Sequence, residues 1–216
     1  MKPFTIIDVP QGSPEWLAAR CGLLTGSRAK DVLATIKSGE AAARRDYRMQ
    51  LIAERLTGVP QESGFVSDAM RHGTETEPLA RAAYEAVTGR LVEQTGFLRH
   101  NTHAMGCSLD GHLDDFEGIV EIKCPQTATH LGYLRANAVP ANHLPQIRHN
   151  LLVTGASFCD FVSYDPRLPP DLALFWKRVY ALDLDLAAYE RAALAFLEEV
   201  DAELEAINKL RSNHVA

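Results

Sequence analysis

The sequence predicts an α/β fold with a mixed central β-sheet flanked by helices, and three observations carry that prediction. Short stretches such as Phe158 to Tyr164 alternate like half-buried strands. Longer stretches such as Asp185 to Leu210 repeat apolar residues every three or four positions, as amphipathic helices do. Beyond an N-terminal helical region, strands and helices are interleaved. The 216 residues suit one domain with a real core, spanning residues 1–216. Its parts are a helical region over about 13–60, a core over about 67–184 and a C-terminal helix over about 185–210.

Composition excludes several classes. Apolar residues make up 46% of the chain and charged residues 23%, as in ordinary water-soluble domains. No run is long and apolar enough to cross a bilayer, and the segment Met1 to Pro10 is too soon interrupted for a signal peptide. A cytoplasmic protein with no membrane partner is expected. The cysteines Cys21, Cys107, Cys124 and Cys159 are scattered without a CxxC pair, which favours free thiols over zinc or disulfides. His100/His103 and His143/His149 lack a third ligand at useful spacing, a second argument against zinc. The net charge of −6 argues against coating nucleic acid by bulk electrostatics. Acid is concentrated near the C-terminus, however, whereas Arg20, Arg28, Lys30, Lys37, Arg44, Arg45, Arg48 and Arg55 enrich the N-terminal third in base. An acidic outside with a basic lining satisfies both facts.

In chain order, Ser13-Pro14-Glu15-Trp16 opens a helix with serine as N-cap and proline at the first helical position. It runs to about Arg20 and stops at Gly22. A second helix is expected from Ser27 to Ala34. Its free N–H groups would attract an anion, with hydroxyls from Thr25 and Ser27 and with Arg20 one short loop away. Plain capping is the alternative. A long helix covers Glu40 to Leu56, ended by Thr57-Gly58-Val59-Pro60, with Leu51, Ile52, Arg55 and Leu56 facing inward or supporting the fold. Arg44, Arg45 and Arg48 share one of its faces, either solvated or in contact with a DNA backbone. Lys37, in the preceding loop, is a weaker candidate of the same kind.

The next helix is expected from Ser67 to Val87, with Pro78 in its first turns and Thr88-Gly89 as its end. Glu75 and Glu77 fall near its start, where acid is favourable in any case. Leu91 to Arg99 reads as a strand. Helices follow over Thr127 to Ala136 and around Pro145 to Leu152. Strands are expected over Phe158 to Tyr164 and Tyr180 to Leu184. The last helix carries Leu186, Tyr189, Ala193, Phe196, Leu197, Val200, Leu204 and Ile207 on one stripe.

The chemistry gathers between Cys107 and Pro125. Two strands, His103 to Leu113 and Gly118 to Cys124, are expected to join through Asp114-Asp115-Phe116-Glu117 as a hairpin. Alternation puts Ile119, Glu121 and Lys123 on one side and Val120 and Ile122 on the other, with Asp110 beside Glu121. Two carboxylates and an ammonium are costly to bury unless paired. Magnesium takes hard oxygen ligands and is usually held by one or two carboxylates plus substrate phosphate. Asp110, Glu121 and the Ile122 carbonyl would hold it, with Lys123 orienting or activating water for attack on a phosphodiester. An exposed Glu121–Lys123 ion pair on an ordinary hairpin is the plain alternative. The proline after Lys123-Cys124 favours chemistry, because it sets the charges at a strand end.

Asp110 with Glu121-Ile122-Lys123 resembles the D…ExK core of the PD-(D/E)xK nucleases, with Leu109 where that pattern nominally has proline. Cys107-Ser-x-Asp-Gly and Glu-Ile-Lys-Cys-Pro resemble, more narrowly, the phage lambda exonuclease group of YqaJ-type alkaline exonucleases. The match extends over roughly Gly12 to Arg167. Trp16-x-x-x-Arg20-x-Gly22-x-x-Thr25-x-Ser27 is similar to that group's N-terminal motif, Gly73-x-x-x-Glu77 to its helical glutamate motif, and Gln146 to its last motif.

The resemblance implies a restriction-endonuclease-like core and a magnesium-dependent 5′-to-3′ exonuclease acting on one strand of linear duplex DNA. It implies two Mg2+ ions, Mn2+ being a possible substitute, held by Asp110, Glu121 and Ile122, with Glu77 joining through water. Arg20, Ser27, Ser108 and Gln146 would bind the 5′-phosphate. It further implies a homotrimeric ring around DNA, a single-strand annealing protein as partner, and a phage or prophage origin. A PD-(D/E)xK endonuclease of restriction or junction-resolving type is the enzymatic alternative, and a catalytically silent DNA-binding module the other.

Overall fold

In the computed structural model, which describes residues 2–61 and 68–214, the strands form two four-stranded mixed sheets rather than one. The first contains β1 (Phe4–Ile7), β2 (Leu24–Thr25), β3 (Phe97–His100) and β4 (Met105–Cys107) in the order β1-β3-β4-β2. The second contains β5 (Gly111–Leu113), β6 (Gly118–Lys123), β7 (Phe158–Tyr164) and β8 (Leu174–Tyr180) in chain order. β6 lies antiparallel to β5 and parallel to β7, with Glu121 opposite Phe161 and Lys123 opposite Ser163. A single bridge, Glu93 to His112, connects the region before β3 to β5.

The strand expected over residues 103–113 is therefore two short strands in different sheets. Ser108, Leu109 and Asp110 cross between them, because their polar groups are held outside any ladder. The indole N–H of Trp16 donates to Ser108 Oγ at 2.7 Å, and Asp110 Oδ2 accepts from the Ile122 N–H at 2.7 Å. The expected strand over 91–99 shortens to β3, and the expected final strand over 180–184 lies earlier, as β8. Residues 181–183 instead form a 3-10 turn. β1 was not expected; it is short and has only one buried residue, Phe4, so it shows little alternation.

The helices are α1 (Pro14–Arg20), α2 (Ala29–Val32), α3 (Ala42–Thr57), α4 (Asp68–Thr88), α5 (Thr127–Ala136), α6 (Leu144–Thr154) and α7 (Leu186–His214). Ser13 caps α1 through its side chain, as expected. Gly58, at φ +68°, closes α3 in the left-handed conformation that glycine tolerates. α2 is one turn preceded by a 3-10 turn at Gly26–Arg28, much less than the helix expected over 27–34. The expected start of α4 at Ser67 lies outside the described residues. α4 is already helical at Asp68, so Pro78 and the nearby Glu75 and Glu77 lie in the helix interior. Pro78 has no N–H to donate there.

Strand alternation sorts the core as expected. Ile119 joins the larger apolar cluster, with Leu51, Leu151, Phe161 and Phe196. Val120 and Ile122 face the smaller one, with Ala80 and Tyr84 of α4. α7 lays Tyr189, Ala193, Phe196, Leu197 and Val200 onto the larger cluster, with Leu186, Leu204 and Ile207 partly covered at its edges. Burying a side chain such as Phe196 contributes about 1.5–3 kcal/mol. Leu51 and Ile52 point inward, but Leu56 is exposed at the end of α3. The turn after β5 holds Asp114, Asp115 and Phe116 at φ of 49°, 55° and 73°, a costly run for non-glycine residues. Stacking of Phe116 on His112 and its tilted packing on Phe4 offset part of that cost.

Candidate active site

β6 carries its charged residues to its C-terminal end. Glu121 is 1% exposed, and its Oε1 lies 2.5 Å from Lys123 Nζ. Its other oxygen, Oε2, accepts from Asn150 Nδ2 at 3.3 Å. Asp110 is fixed by the Ile122 N–H and therefore comes to the same place from the crossing segment. Glu77 arrives from α4, where Arg81 donates to its Oε1 at 2.6 Å. The same Arg81 nitrogen reaches the Asp110 carbonyl at 3.4 Å. Glu77, Asp110, Ile122, Lys123, Cys124, Pro125, Tyr133 and His143 line a cleft of about 430 Å3.

The electrostatics are those of a site short of positive charge. Burial, with Asp110 and Glu77 nearby, raises Glu121 well above the ordinary carboxylate range against the opposing pull of Lys123. Burial and Asp110 raise Glu77 in the same direction. Burial alone would lower Lys123, but Glu121, Asp110 and Glu77 outweigh it and hold the ammonium charged. Among the described residues, no three carboxylate, histidine or cysteine side chains already converge as a metal cage. The arrangement suits magnesium nonetheless, since that ion needs only one or two carboxylates beside substrate oxygens. Asp110, Glu121 and the Ile122 carbonyl are a hard-oxygen set, and the charge of Asp110 makes Glu121 harder to ionise. A divalent cation would relieve that repulsion, so these residues fit one.

A second cavity, of about 380 Å3, adjoins the cleft and shares Asp110 and Lys123 with it. Its other walls are Gln11, Trp16, Arg20, Thr25, Gly26, Ser27, Phe97, Ser108 and Gln146. The guanidinium of Arg20 stacks 4.1 Å from the Trp16 ring and donates toward Thr25 Oγ1 and Ser27 Oγ at 3.3 and 3.4 Å. Arg20, Ser27, Ser108 and Gln146, drawn from four separate parts of the sequence, thus border one space. With α2 so short, a helix macrodipole adds little there. An anion would instead meet the guanidinium, the hydroxyls and the amide.

The other basic candidates lie elsewhere. Arg44 pairs with Glu199 at 2.6 Å and Glu40 at 3.0 Å, while Arg48 pairs with Glu40 and with Glu203 at 2.8 Å. Both therefore face acids, largely those of α7. Arg45 is exposed beside Asp46, and Lys37 is exposed in the loop between α2 and α3. None of the four lines the cleft or the adjoining cavity.

The family described as the YqaJ-like viral recombinase domain matches residues 15–157. The chain belongs to the YqaJ-like viral recombinase family. The alkaline exonuclease LHK-Exo from Laribacter hongkongensis is 39% identical, with a TM-score of 0.82 over 94% of this chain and 100% of that one. LHK-Exo in complex with dAMP gives 40% and 0.83 over the same shares. A phage-related exonuclease from Haemophilus somnus 129PT, at 13% identity and a TM-score of 0.66, covers 87% of this chain and 96% of its own, a likeness of fold alone. No curated protein matches the chain. The architecture is restriction-endonuclease-like, as the resemblance implied.

Several residues around this YqaJ-like site escaped sequence reasoning. Arg81 lies one turn after Glu77, and that spacing could have revealed it as the partner. Tyr133 and His143 come from separate helical segments, and His143 stacks on Phe161 across 5.2 Å. Burial, with the Lys123 and Lys30 charges, lowers His143 to about 4, so its ring is neutral near pH 7. Nothing in the local pattern announced either residue. Asn150 is one turn after Gln146 on α6, and the same helical spacing could have signalled it.

Proposed function

We propose that this YqaJ-like chain is a magnesium-dependent exonuclease that degrades one strand of linear duplex DNA from 5′-phosphorylated ends, for recombination by strand annealing. The observation that carries the reading is the shared wall: Asp110 and Lys123 border both the cleft and the cavity lined by Arg20, Ser27, Ser108 and Gln146. A terminal phosphate bound in the second cavity would bring a phosphodiester close to its end into the first. That juxtaposition favours trimming from an end over cutting inside a duplex. Membership in the family and likeness to an alkaline exonuclease support the same class of reaction.

When bound, Mg2+, or Mn2+ in its place, would supply Lewis-acid stabilisation of charge on the phosphate oxygens. Asp110, Glu121 and the Ile122 carbonyl are the residues to hold it, with Glu77 positioned by Arg81 to orient water. Lys123, kept as an ammonium by its three carboxylate neighbours, acts as a donor and orienting group rather than as a base. The family resemblance extends the reading to a homotrimeric ring working with a single-strand annealing protein. Lys37 and Arg45 are the candidates for its DNA-facing surface, since Arg44 and Arg48 already meet acids. A sedimentation mass other than three chains would count against the ring.

The deciding assay compares linear duplex with and without 5′-phosphate, beside covalently closed circles, with and without magnesium. Magnesium-dependent loss of the phosphorylated linear strand with intact circles is expected. Cut circles would identify an endonuclease instead, and no cleavage of any substrate would leave a silent binding module. Arg20→Ala is expected to erase the preference for 5′-phosphate over 5′-hydroxyl ends more than it weakens general duplex binding. A guanidinium offers two parallel donors to one phosphate, and a terminal phosphate carries more charge than a diester. Arg20→Lys should restore the preference only in part. An equal rate ratio in all three proteins would make Arg20 a structural residue.

A further inference from the structure

We propose that Asn150 is a positioning residue, which holds the Glu121 carboxylate in its metal-binding orientation and ties it to the wall of the adjoining cavity. The inference rests on the metal reading of Asp110 and Glu121 given above. Glu121 Oε1 lies 2.5 Å from the Lys123 ammonium without a directed hydrogen bond, and Oε2 accepts one from the Asn150 amide. The ammonium is a point charge that holds one oxygen near it, while the amide supplies the directed contact that restrains the carboxylate plane. Ligands oriented by a donor in this way hold metal more tightly than ligands that must be ordered on binding.

The chemistry of Asn150 itself argues that its donor matters more than its bulk. Asn150 is 1% exposed, and its Oδ1 is buried without a hydrogen-bond partner. Turning the amide over would aim that oxygen at the ionised Glu121 carboxylate that a metal needs, so in the metal-binding form the NH2 group faces Glu121. The arrangement therefore leaves one acceptor buried and unpaired, which is destabilising. A leucine has the same branched outline and no polar atom, but its two methyl groups take more room than the amide, so it trades that cost for tighter packing. What asparagine adds at this position is one N–H aimed at Glu121.

The unpaired oxygen also marks the link to the second cavity. A Cβ built on Gly26 would stand 2.3 Å from Asn150 Oδ1, so only glycine lets the backbone between Thr25 and Ser27 lie against the amide. Gly26 lines the same cavity as Arg20 and Ser108. On α6, Gln146 borders that cavity and Asn150, four residues later on the same helical face, supports Glu121. One helix face thus serves both spaces.

The test measures Mn2+ binding to the DNA-free protein by calorimetry, together with melting temperature without metal. Asn150→Leu and Asn150→Ala are expected to weaken Mn2+ binding about tenfold, with the alanine variant, which adds no bulk beside Gly26, melting close to wild type. Gly26→Ala, which adds no ligand and removes none, is expected to weaken binding in the same direction by displacing the amide. Should the leucine variant fail to fold, the alanine variant carries the comparison. Wild-type Mn2+ affinity in the Asn150 variants, when Glu121→Gln has lost binding, would overturn the positioning role and leave the metal reading standing. Affinity lost only in variants that have also lost melting temperature would mark Asn150 as structural and overturn it equally. Wild-type affinity in Glu121→Gln would remove the metal reading and this inference together.

Discussion

Lys123→Ala should lower the single-turnover rate of strand cleavage by about a thousandfold or more, the scale of losing a group that acts in the transition state. The fold and binding to DNA ends should persist, because the Lys123 side chain is partly exposed at the end of β6. The distinguishing readout is metal affinity. Removing the one ammonium among Glu77, Asp110 and Glu121 leaves their repulsion uncompensated, so a divalent cation should bind as tightly as before or more tightly. Loss of rate with undiminished metal binding is therefore the signature of Lys123. Near-wild-type cleavage in the variant would remove Lys123 from the reaction.

The two halves of that site were unequally legible in the sequence. Alternation along β6 is a local property, so spacing alone assigns Ile119, Glu121 and Lys123 to one side and Val120 and Ile122 to the other. Pairing with Asp110 was also legible, but not its route. Ser108 to Asp110 leave one sheet for another through hydrogen bonds with Trp16 and Ile122, both distant in sequence. Residues that act through partners elsewhere leave no periodic trace. Tyr133 and His143 become cleft residues only when α5 and the segment before α6 fold back over β7.

The basic face of α3 shows the same limit from the other side. Arg44 and Arg48 share a face, as helical spacing requires, but spacing says nothing of what lies opposite. The acids Glu199 and Glu203 that meet them are 155 residues away on α7. Likewise Pro78 suggested a helix start, because proline fits first turns; α4 accommodates it in the interior instead. Local preference yielded there to a helix whose Ala80 and Tyr84 are buried against β6 and β8.

Asp110→Asn and Glu121→Gln should each reduce cleavage by about a thousandfold or more and abolish the rise in melting temperature that magnesium produces in the wild type. Both substitutions keep the shape of the side chain, and asparagine at position 110 still offers an oxygen to the Ile122 N–H. Stability without metal should hold or rise, because each change removes one of the mutually repelling carboxylates. Glu121→Gln has a further consequence in its pH dependence. Burial raises Glu121 above its value in the unfolded chain, about 4.3. Between those two values the native protein binds the proton that the unfolded chain has released. Metal-free stability of the wild type must then fall as pH rises through that window and level off above it. A bound cation requires the ionised carboxylate, so magnesium stabilisation should grow over the same range and be greatest on its alkaline side. Glu121→Gln should flatten both trends. Thermal melts across about pH 4 to 9, with and without magnesium, give the comparison. A large loss of metal-free stability in both variants, with the magnesium response retained, would make Asp110 and Glu121 parts of a structural ion pair with Lys123 rather than the holders of a metal.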